Sequence, residues 1–354
     1  MKKILLIRFS SIGDIVLTTP VIRAIKEQMP GAEVHFLTRE VFSGIVADNP
    51  HLSKVWTFRY NLAEIKDTLL REKFDLIIDL HKNLRSWRLK MNLRQKVYSF
   101  DKLNLRKFLA VNLKLVSLLP DKHIVDRYFD GISPLNVKND GKGLEYYISE
   151  NDRVDVPALF FKNKPTRFIA LVIGGSYFTK KIPLTKLQYI CENASLPVVM
   201  LGGLSDKPIA DELRKKFPHL INGSAQFSIS QSASVISQAE WVITSDTGMM
   251  HIAAAFNKKI ISVWGNTIPE FGMAPYLPRP ENKILEVKNL ACRPCSKLGY
   301  GRCPLGHFKC MNTGEGTELK NLKPFQKTVI GALFVFFLRA SVFSCPCYAS
   351  TGKK

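Results

Sequence analysis

The chain predicts two doubly wound α/β domains, each a parallel sheet with helices on both faces. Three observations carry this expectation. Short apolar runs alternate with longer amphipathic stretches, the pattern of parallel strands joined by helical crossovers. The alternation stops at a stretch with two prolines and no helical period, Val154 to Thr166, and then begins again. At 354 residues, 46% hydrophobic and 23% charged, the chain is long enough for two cores, and its composition excludes wholesale disorder.

In order, Lys3 to Phe9 reads as the first strand, Ser10 to Asp14 as a tight loop, and the periodic stretch to Met29 as a helix. Pro20 inside that stretch predicts a kink or a late helix start. Glu33 to Leu37, Lys54 to Phe58, Phe74 to Leu80 and Lys96 to Phe100 read as further strands, with helices over about 40–48, 61–72, 84–93 and 103–118. After the linker, Arg167 to Ile173, Pro197 to Leu201, Trp241 to Thr244 and Lys259 to Trp264 read as strands. Helices fill 184–194, 206–216, 229–238 and 247–256. The domains are thus expected at 1–155 and 165–311. The remainder, 312–354, changes character: a polar stretch precedes the apolar run Val329 to Leu338, too short to span a bilayer. The tail is expected to be poorly ordered, and residues beyond about 313 to be dispensable.

Charge is the unusual quantity. Lys and Arg number 51 against 30 Asp and Glu, a net charge of +21 that points to an anionic partner. Lys82 to Lys114 hold ten Lys or Arg against Asp101 alone, interleaved with Trp87, Leu89, Met91 and Leu93. That imbalance favours a surface for anionic lipid. No helix-turn-helix, RNP or zinc-finger pattern accompanies it, so nucleic acid is not expected. Met1-Lys2-Lys3 is followed by only four apolar residues before Arg8, which is no secretory signal, so a cytosolic location is expected.

Four loops fall at strand ends where α/β ligands bind. Ser10-Ser11-Ile12-Gly13-Asp14 places small residues and a carboxylate at the first strand's edge, and Asp14 reads equally as a helix cap. Thr244 to Ala255 carries Asp246, Thr247, Gly248 and His251 across a strand end and into a small-residue helix. Its exposed N–H groups suit phosphate, and His251 reads as either a ligand contact or a core histidine. Gly174 to Pro183 adds Lys180, a point charge for phosphate, and Gly202 to Asp206 adds a carboxylate. Cys292, Cys295, Cys303 and Cys310, with His307 between, read as a tetrahedral structural zinc site, as reduced thiols or as a redox-labile cluster.

Taken together these residues resemble the glycosyltransferase family 9 heptosyltransferases, from Met1 to about Met311. The markers are KILLIRFSSIGDIVLTTPVIRAIK, the DLHKNLRS that is similar to the family's acceptor-side stretch, the loop TKKIP, the SDTGMMHIAAA motif, and the terminal cysteine pattern ending in Cys310-Met311. His81-Lys82 and Ile182 depart from the family's Gln-Gly and Trp. The resemblance implies a GT-B fold, two Rossmann-like domains facing a cleft, and inverting transfer of heptose from ADP-heptose to a lipopolysaccharide inner-core acceptor of the lipid A–Kdo type. It implies Asp14 as the catalytic base. Lys180, Asp206, Asp246, Thr247, Gly248 and His251 are implied as donor contacts, with Asp206 at the adenosine ribose. Lys82, Arg85, Arg88, Arg94 and Lys96 are expected to face the acceptor and the anionic inner membrane, with the enzyme peripheral on its cytoplasmic face. No metal is expected to be required for catalysis. A sugar-nucleotide epimerase of similar fold and a non-catalytic binder of anionic membrane or nucleic acid are the alternatives.

Overall fold

The apolar runs form two all-parallel sheets. The computed structural model describes residues 2–164, 166–312 and 323–325. In the first sheet the strands are β1 (Lys3–Ile7), β2 (Glu33–Arg39), β3 (Lys54–Phe58), β4 (Leu76–Asp79) and β5 (Lys96–Ser99), in the order β3-β2-β1-β4-β5. The second holds β6 (Ile169–Val172), β7 (Val198–Leu201), β8 (Ile221–Asn222), β9 (Trp241–Ser245), β10 (Lys259–Trp264) and β11 (Lys283–Glu286), in the order β11-β10-β9-β6-β7-β8. Ile4 pairs with Val34 on one side and Leu76 on the other. The central strands are apolar throughout because helices cover both faces; Ile4 to Ile7 are fully buried.

Strand order reverses once in each sheet. In the first, β1 lies between β2 and β4; in the second, β6 and β9 are neighbours and the chain winds outward from each. The loops after β1, β6 and β9 therefore open at the two switch points, where α/β folds bind ligands. Those are the loops that carry Asp14, Lys180 and Asp246.

Several local expectations are corrected. Pro20 does delay a helix: one turn runs Ile12–Val16, and a second helix, Thr19–Gln28, has the proline in its first turn. The segment 103–118 is not one helix. Asn104–Asn112 ends where Lys114 turns left-handed (φ 59), and a 3-10 turn follows at Val116–Leu118. The linker holds a short helix, Val156–Phe160, capped by Asp155. The helix Ile124–Ile132 and the edge strands β8 and β11 were not anticipated. The strands are two and four residues long, and β11 carries Lys283 and Glu286 in place of an apolar run. Of the tail expected from 312 onward, only Asn312, at the end of the helix Lys309–Asn312, and 323–325 are described. The carbonyl of Pro324 accepts hydrogen bonds from the backbone and hydroxyl of Ser195, and Phe325 is buried in the second domain's core. The apolar run Val329 to Leu338 lies outside the described residues.

One hydrophobic cluster runs through both domains, from Ile4 and Leu6 to Val172, Val242 and Met250. The domains meet most closely at two glycines. A Cβ on Gly13 would stand 2.4 Å from Cδ2 of His251 and 3.3 Å from Cα of Gly248, and a Cβ on Gly248 would stand 2.6 Å from Cβ of Ile12. Polar ties flank this contact: Tyr276 donates to Asp126 at 2.9 Å, and the hydroxyls of Tyr146 and Ser230 lie 3.1 Å apart.

Overpacking a close backbone contact costs about 1–3 kcal/mol. Gly248→Ala and Gly13→Ala should each lower stability by that order, seen as a lower urea midpoint. An unchanged midpoint for both would mean that the domains do not rest on this contact.

Candidate active site

The loop after β1 is held by Arg8. Its guanidinium donates from Nε to the Ser10 carbonyl at 2.8 Å, from Nη1 to the Leu80 carbonyl at the end of β4, and from Nη2 to Oδ1 of Asp14 at 2.6 Å. The backbone N–H and hydroxyl of Ser11 both donate to Oδ2 of Asp14, at 3.2 and 2.8 Å. Burial pushes the Asp14 carboxyl up, but the Arg8 charge and the Ser11 hydrogen bonds outweigh it and hold it down at about 2. Asp14 is thus a fixed carboxylate, ionised at any working pH. Arg8 was not singled out from sequence, because as the residue that ends an apolar run it looks like an ordinary surface charge.

Across the cleft, the helix Gly248–Ala255 starts beside this loop. Thr247 is its N-cap and makes no side-chain cap, so the helix's first N–H groups have no side-chain acceptor. Asp246 is held by the Thr267 hydroxyl at 2.8 Å and pairs with Nζ of Lys180 at 2.6 Å. Three buried polar groups here lack a protein partner: the hydroxyl of Ser245, Nδ1 of His251 and both amide atoms of Asn266. Burial lowers the His251 pKa to about 4, with Asp246 pulling the other way, so the ring is neutral near pH 7. Its field also includes Asp14 and Lys180, so the expected base, phosphate contact and histidine share one site.

Asp206 is 4% exposed, its Oδ1 pairs with Lys181 at 2.6 Å, and its Oδ2 accepts from the Gly203 N–H at 2.9 Å. It thereby ties two glycine loops of the second domain together. Lys181 is its anchor, which leaves Lys180 alone of the two at the cleft.

The expected acceptor cations are also redistributed. Lys82 donates to the Phe100 carbonyl at 2.8 Å. Arg85, Arg88 and Arg94 lie on the exposed side of the helix Leu84–Leu93 or at its end, and Lys96 is exposed on β5. Buried Asp79, at the end of β4, organises this region: it accepts from the N–H groups of His81 and Lys82 and from the Ser86 hydroxyl, and pairs with Lys90 at 2.6 Å.

Two further lysines, Lys102 and Lys107, lie within the field of Asp14. Burial first, then neighbouring cations, lower the pKa of Lys102 and Lys107, the latter to about 8. The neighbours include Arg8 for Lys102, and Arg127 and Lys297 for Lys107; Asp14 pulls both the other way. Arg127 is buried; it donates from Nη2 to the Phe271 carbonyl at 3.0 Å, and its Nε and Nη1 have no partner. Cations crowded together without carboxylate partners call for an anionic ligand. Arg127 and Lys297 stand far apart in sequence, so only folding reveals the set.

Cys292, Cys295, Cys303, Cys310 and His307 line one cavity, of about 30 Å³, and Cys292 Sγ lies 3.9 Å from Nε2 of His307. Among the described residues no group of three or more Cys, His, Asp or Glu is close enough to hold a metal ion in this arrangement. Burial raises the thiols of Cys295 and Cys310, with the neighbouring cysteines adding to it.

The Arg8–Asp14 pair carries a pH signature. Asp14 lies below its ordinary 3.8 in the folded chain, so its contribution is present above that pH and is lost as pH falls from 3.8 toward 2. Arg8→Gln should remove roughly 2 kcal/mol of pH-dependent stability near neutrality, a deficit that shrinks through that window. Urea unfolding across pH measures it; a deficit unchanged with pH would mean that Arg8 acts only through the two carbonyls.

Comparison with known proteins agrees with this fold. Residues 62–299 match the model of glycosyltransferase family 9 (heptosyltransferase). The chain is 25% identical over 297 residues to lipopolysaccharide heptosyltransferase 1 of Campylobacter coli, covering 75% of this chain and 84% of that protein. The glycosyltransferase family 9 structure from Veillonella parvula superposes with a TM-score of 0.68 at 19% identity, over 81% of this chain and 86% of that one. The E. coli heptosyltransferase WaaC bound to ADP-2-deoxy-2-fluoro heptose does so with a TM-score of 0.61 at 17% identity, over 80% and 93%. The family match takes in the larger part of the chain, and the chain belongs to glycosyltransferase family 9, the heptosyltransferases, with the GT-B fold.

Proposed function

We propose that this glycosyltransferase moves a heptose from ADP-heptose to a lipopolysaccharide inner-core acceptor by one inverting displacement. The observation that carries the reading is the contact of Gly13 with Gly248 and His251, which sets the Asp14 carboxylate beside the capless helix start of the other domain. The named relatives act on lipopolysaccharide, and one structural neighbour holds an ADP-heptose analogue, which supports the substrate classes. Family membership replaces the epimerase and binding-only alternatives.

In this reading the donor diphosphate lies against the N–H groups of Gly248 and Met249, and Lys180 turns from Asp246 toward the phosphate to offset the leaving group's charge. The acceptor hydroxyl attacks the anomeric carbon as the bond to ADP breaks, and its proton passes to Asp14. A carboxylate held near 2 is a weak base in the resting site, so proton transfer is late in the displacement, and Asp14 also stabilises positive charge on the sugar. His251 Nδ1 and the Asn266 amide supply unfilled hydrogen-bonding positions around the donor. The cations Lys102, Lys107, Arg127 and Lys297 receive an anionic group of the acceptor. Asp206 acts through Lys181. The reading requires no metal, because these groups offset the charge. Among the described residues no helix is long and apolar enough to cross a membrane. The enzyme is proposed to work on the cytoplasmic face of the inner membrane, where its lipid-linked acceptor is presented.

Asp14→Asn should abolish transfer and leave ADP-heptose affinity nearly unchanged, whereas Lys180→Ala should weaken donor binding. Product mass spectrometry and donor titration check both; near-wild-type turnover of Asp14→Asn would remove Asp14 from the chemistry.

Lys107 adds a pH dependence. Its charge is lost as pH rises through about 8, so acceptor KM should climb above that pH while donor KM stays flat. Lys107→Arg should flatten the climb; equal rises in both KM values would place Lys107 outside the acceptor site.

A further inference from the structure

The helix Leu84–Leu93 buries Ser86, Leu89 and Leu93 against the first domain. Its outer side carries a second apolar stripe. Leu84, Trp87 and Met91 follow one another at three- and four-residue spacing and are 62%, 53% and 60% exposed. A surface helix normally turns charge outward along such a stripe; here Arg88 and Arg94 flank it instead, while Arg85 reaches back over the Phe9 ring at 5.8 Å. The neighbouring segment after β5 repeats the arrangement, with Leu105 and Phe108 exposed beside Arg106. The two segments are tied at their origins, where Lys82 donates to the Phe100 carbonyl. Both lie at the β5 edge of the sheet, and the first begins next to the loop that reaches the cleft.

We propose that this face is an interfacial docking surface for an anionic bilayer, with Trp87, Met91, Leu84, Leu105 and Phe108 entering the headgroup–acyl boundary and the arginines meeting lipid phosphates. The occupant follows from charge: Lys82 to Lys114 hold a single acid, Asp101, so a basic or neutral partner surface is disfavoured. Exposed aromatic and aliphatic side chains rimmed by arginine match the composition of helices that lie in the membrane interface. The placement also serves the reaction, because a lipid-linked acceptor held in that bilayer is offered at the mouth of the cleft. In this respect the inference rests on the proposed lipid-bound acceptor, yet the binding it describes is measured without any sugar.

The tryptophans make the test direct. The chain has four, and Trp56, Trp241 and Trp264 are buried, so Trp87 is the exposed one. The full chain is mixed with phosphatidylcholine vesicles, with or without phosphatidylglycerol, whose acyl chains are brominated near the interface. Tryptophan emission should be quenched with the anionic vesicles alone, and Trp87→Phe should lose the quenching. Leu84→Glu with Met91→Glu should weaken vesicle binding about tenfold or more, while transfer to a delipidated soluble acceptor is retained. Vesicle binding without quenching would overturn the proposal and place contact elsewhere, including the apolar run Val329 to Leu338, which has no tryptophan. Equal quenching by neutral vesicles, or a self-association abolished by Met91→Glu with no lipid binding, would overturn it too. Failure of transfer to the soluble acceptor by the wild-type chain would count against the proposed function and leave the docking result standing.

Discussion

Everything in the cleft depends on how closely two helix starts can approach. Gly13 and Gly248 meet across the domain boundary with no room for a methyl group on either, and Ile12 and His251 close the contact. Strand order brings each glycine there, because each lies in a loop that opens at a switch point of its own sheet. The result is a carboxylate from one domain set against a helix start from the other. Neither domain contains the site by itself, which is why a single hydrophobic cluster running through both is part of the functional architecture.

Charge then divides the cleft. Asp246 and Lys180 neutralise each other, so the site avoids an isolated buried charge; in the proposed reading a donor phosphate competes for the lysine. On the other side, Asp14 is paired by Arg8, while Lys102, Lys107 and Arg127 have no carboxylate partner among the described residues. In the proposed reading these cations meet an anionic group of the acceptor, and the paired ones are those for which the protein supplies its own counter-charge. Arg88 of the helix Leu84–Leu93 and Arg94 at its end belong to neither set and are exposed, whereas Arg85 lies over the Phe9 ring.

Much of this was legible in the sequence because it is written in local patterns. Apolar runs separated by helical periods identify β1 to β7, β9 and β10, and Lys54 to Phe58 and Lys259 to Trp264 carry the same bounds in both readings. The loops holding Asp14 and Asp246 were recognisable from small residues at strand ends. What stayed hidden depends on distance in the chain. Arg8 looks like the end of a strand until its fork meets Leu80 and Asp14. That Asp206 is held by Lys181 and Gly203 shows only in the fold. The cysteine spacing brings the four thiols and His307 around one cavity, which spacing alone does not reveal. The short edge strands β8 and β11 lack an apolar run long enough to be seen.

The central claim is that a fixed carboxylate on one domain activates the acceptor while the other domain holds the leaving group, in one displacement. The anomeric configuration of the product tests this most directly. The full-length chain is incubated with ADP-heptose and a lipid A–Kdo acceptor, and the new glycosidic bond is read by NMR coupling constants. The account predicts a product whose anomeric configuration is opposite to the donor's. Retention of configuration would require a second displacement and would contradict the role assigned to Asp14.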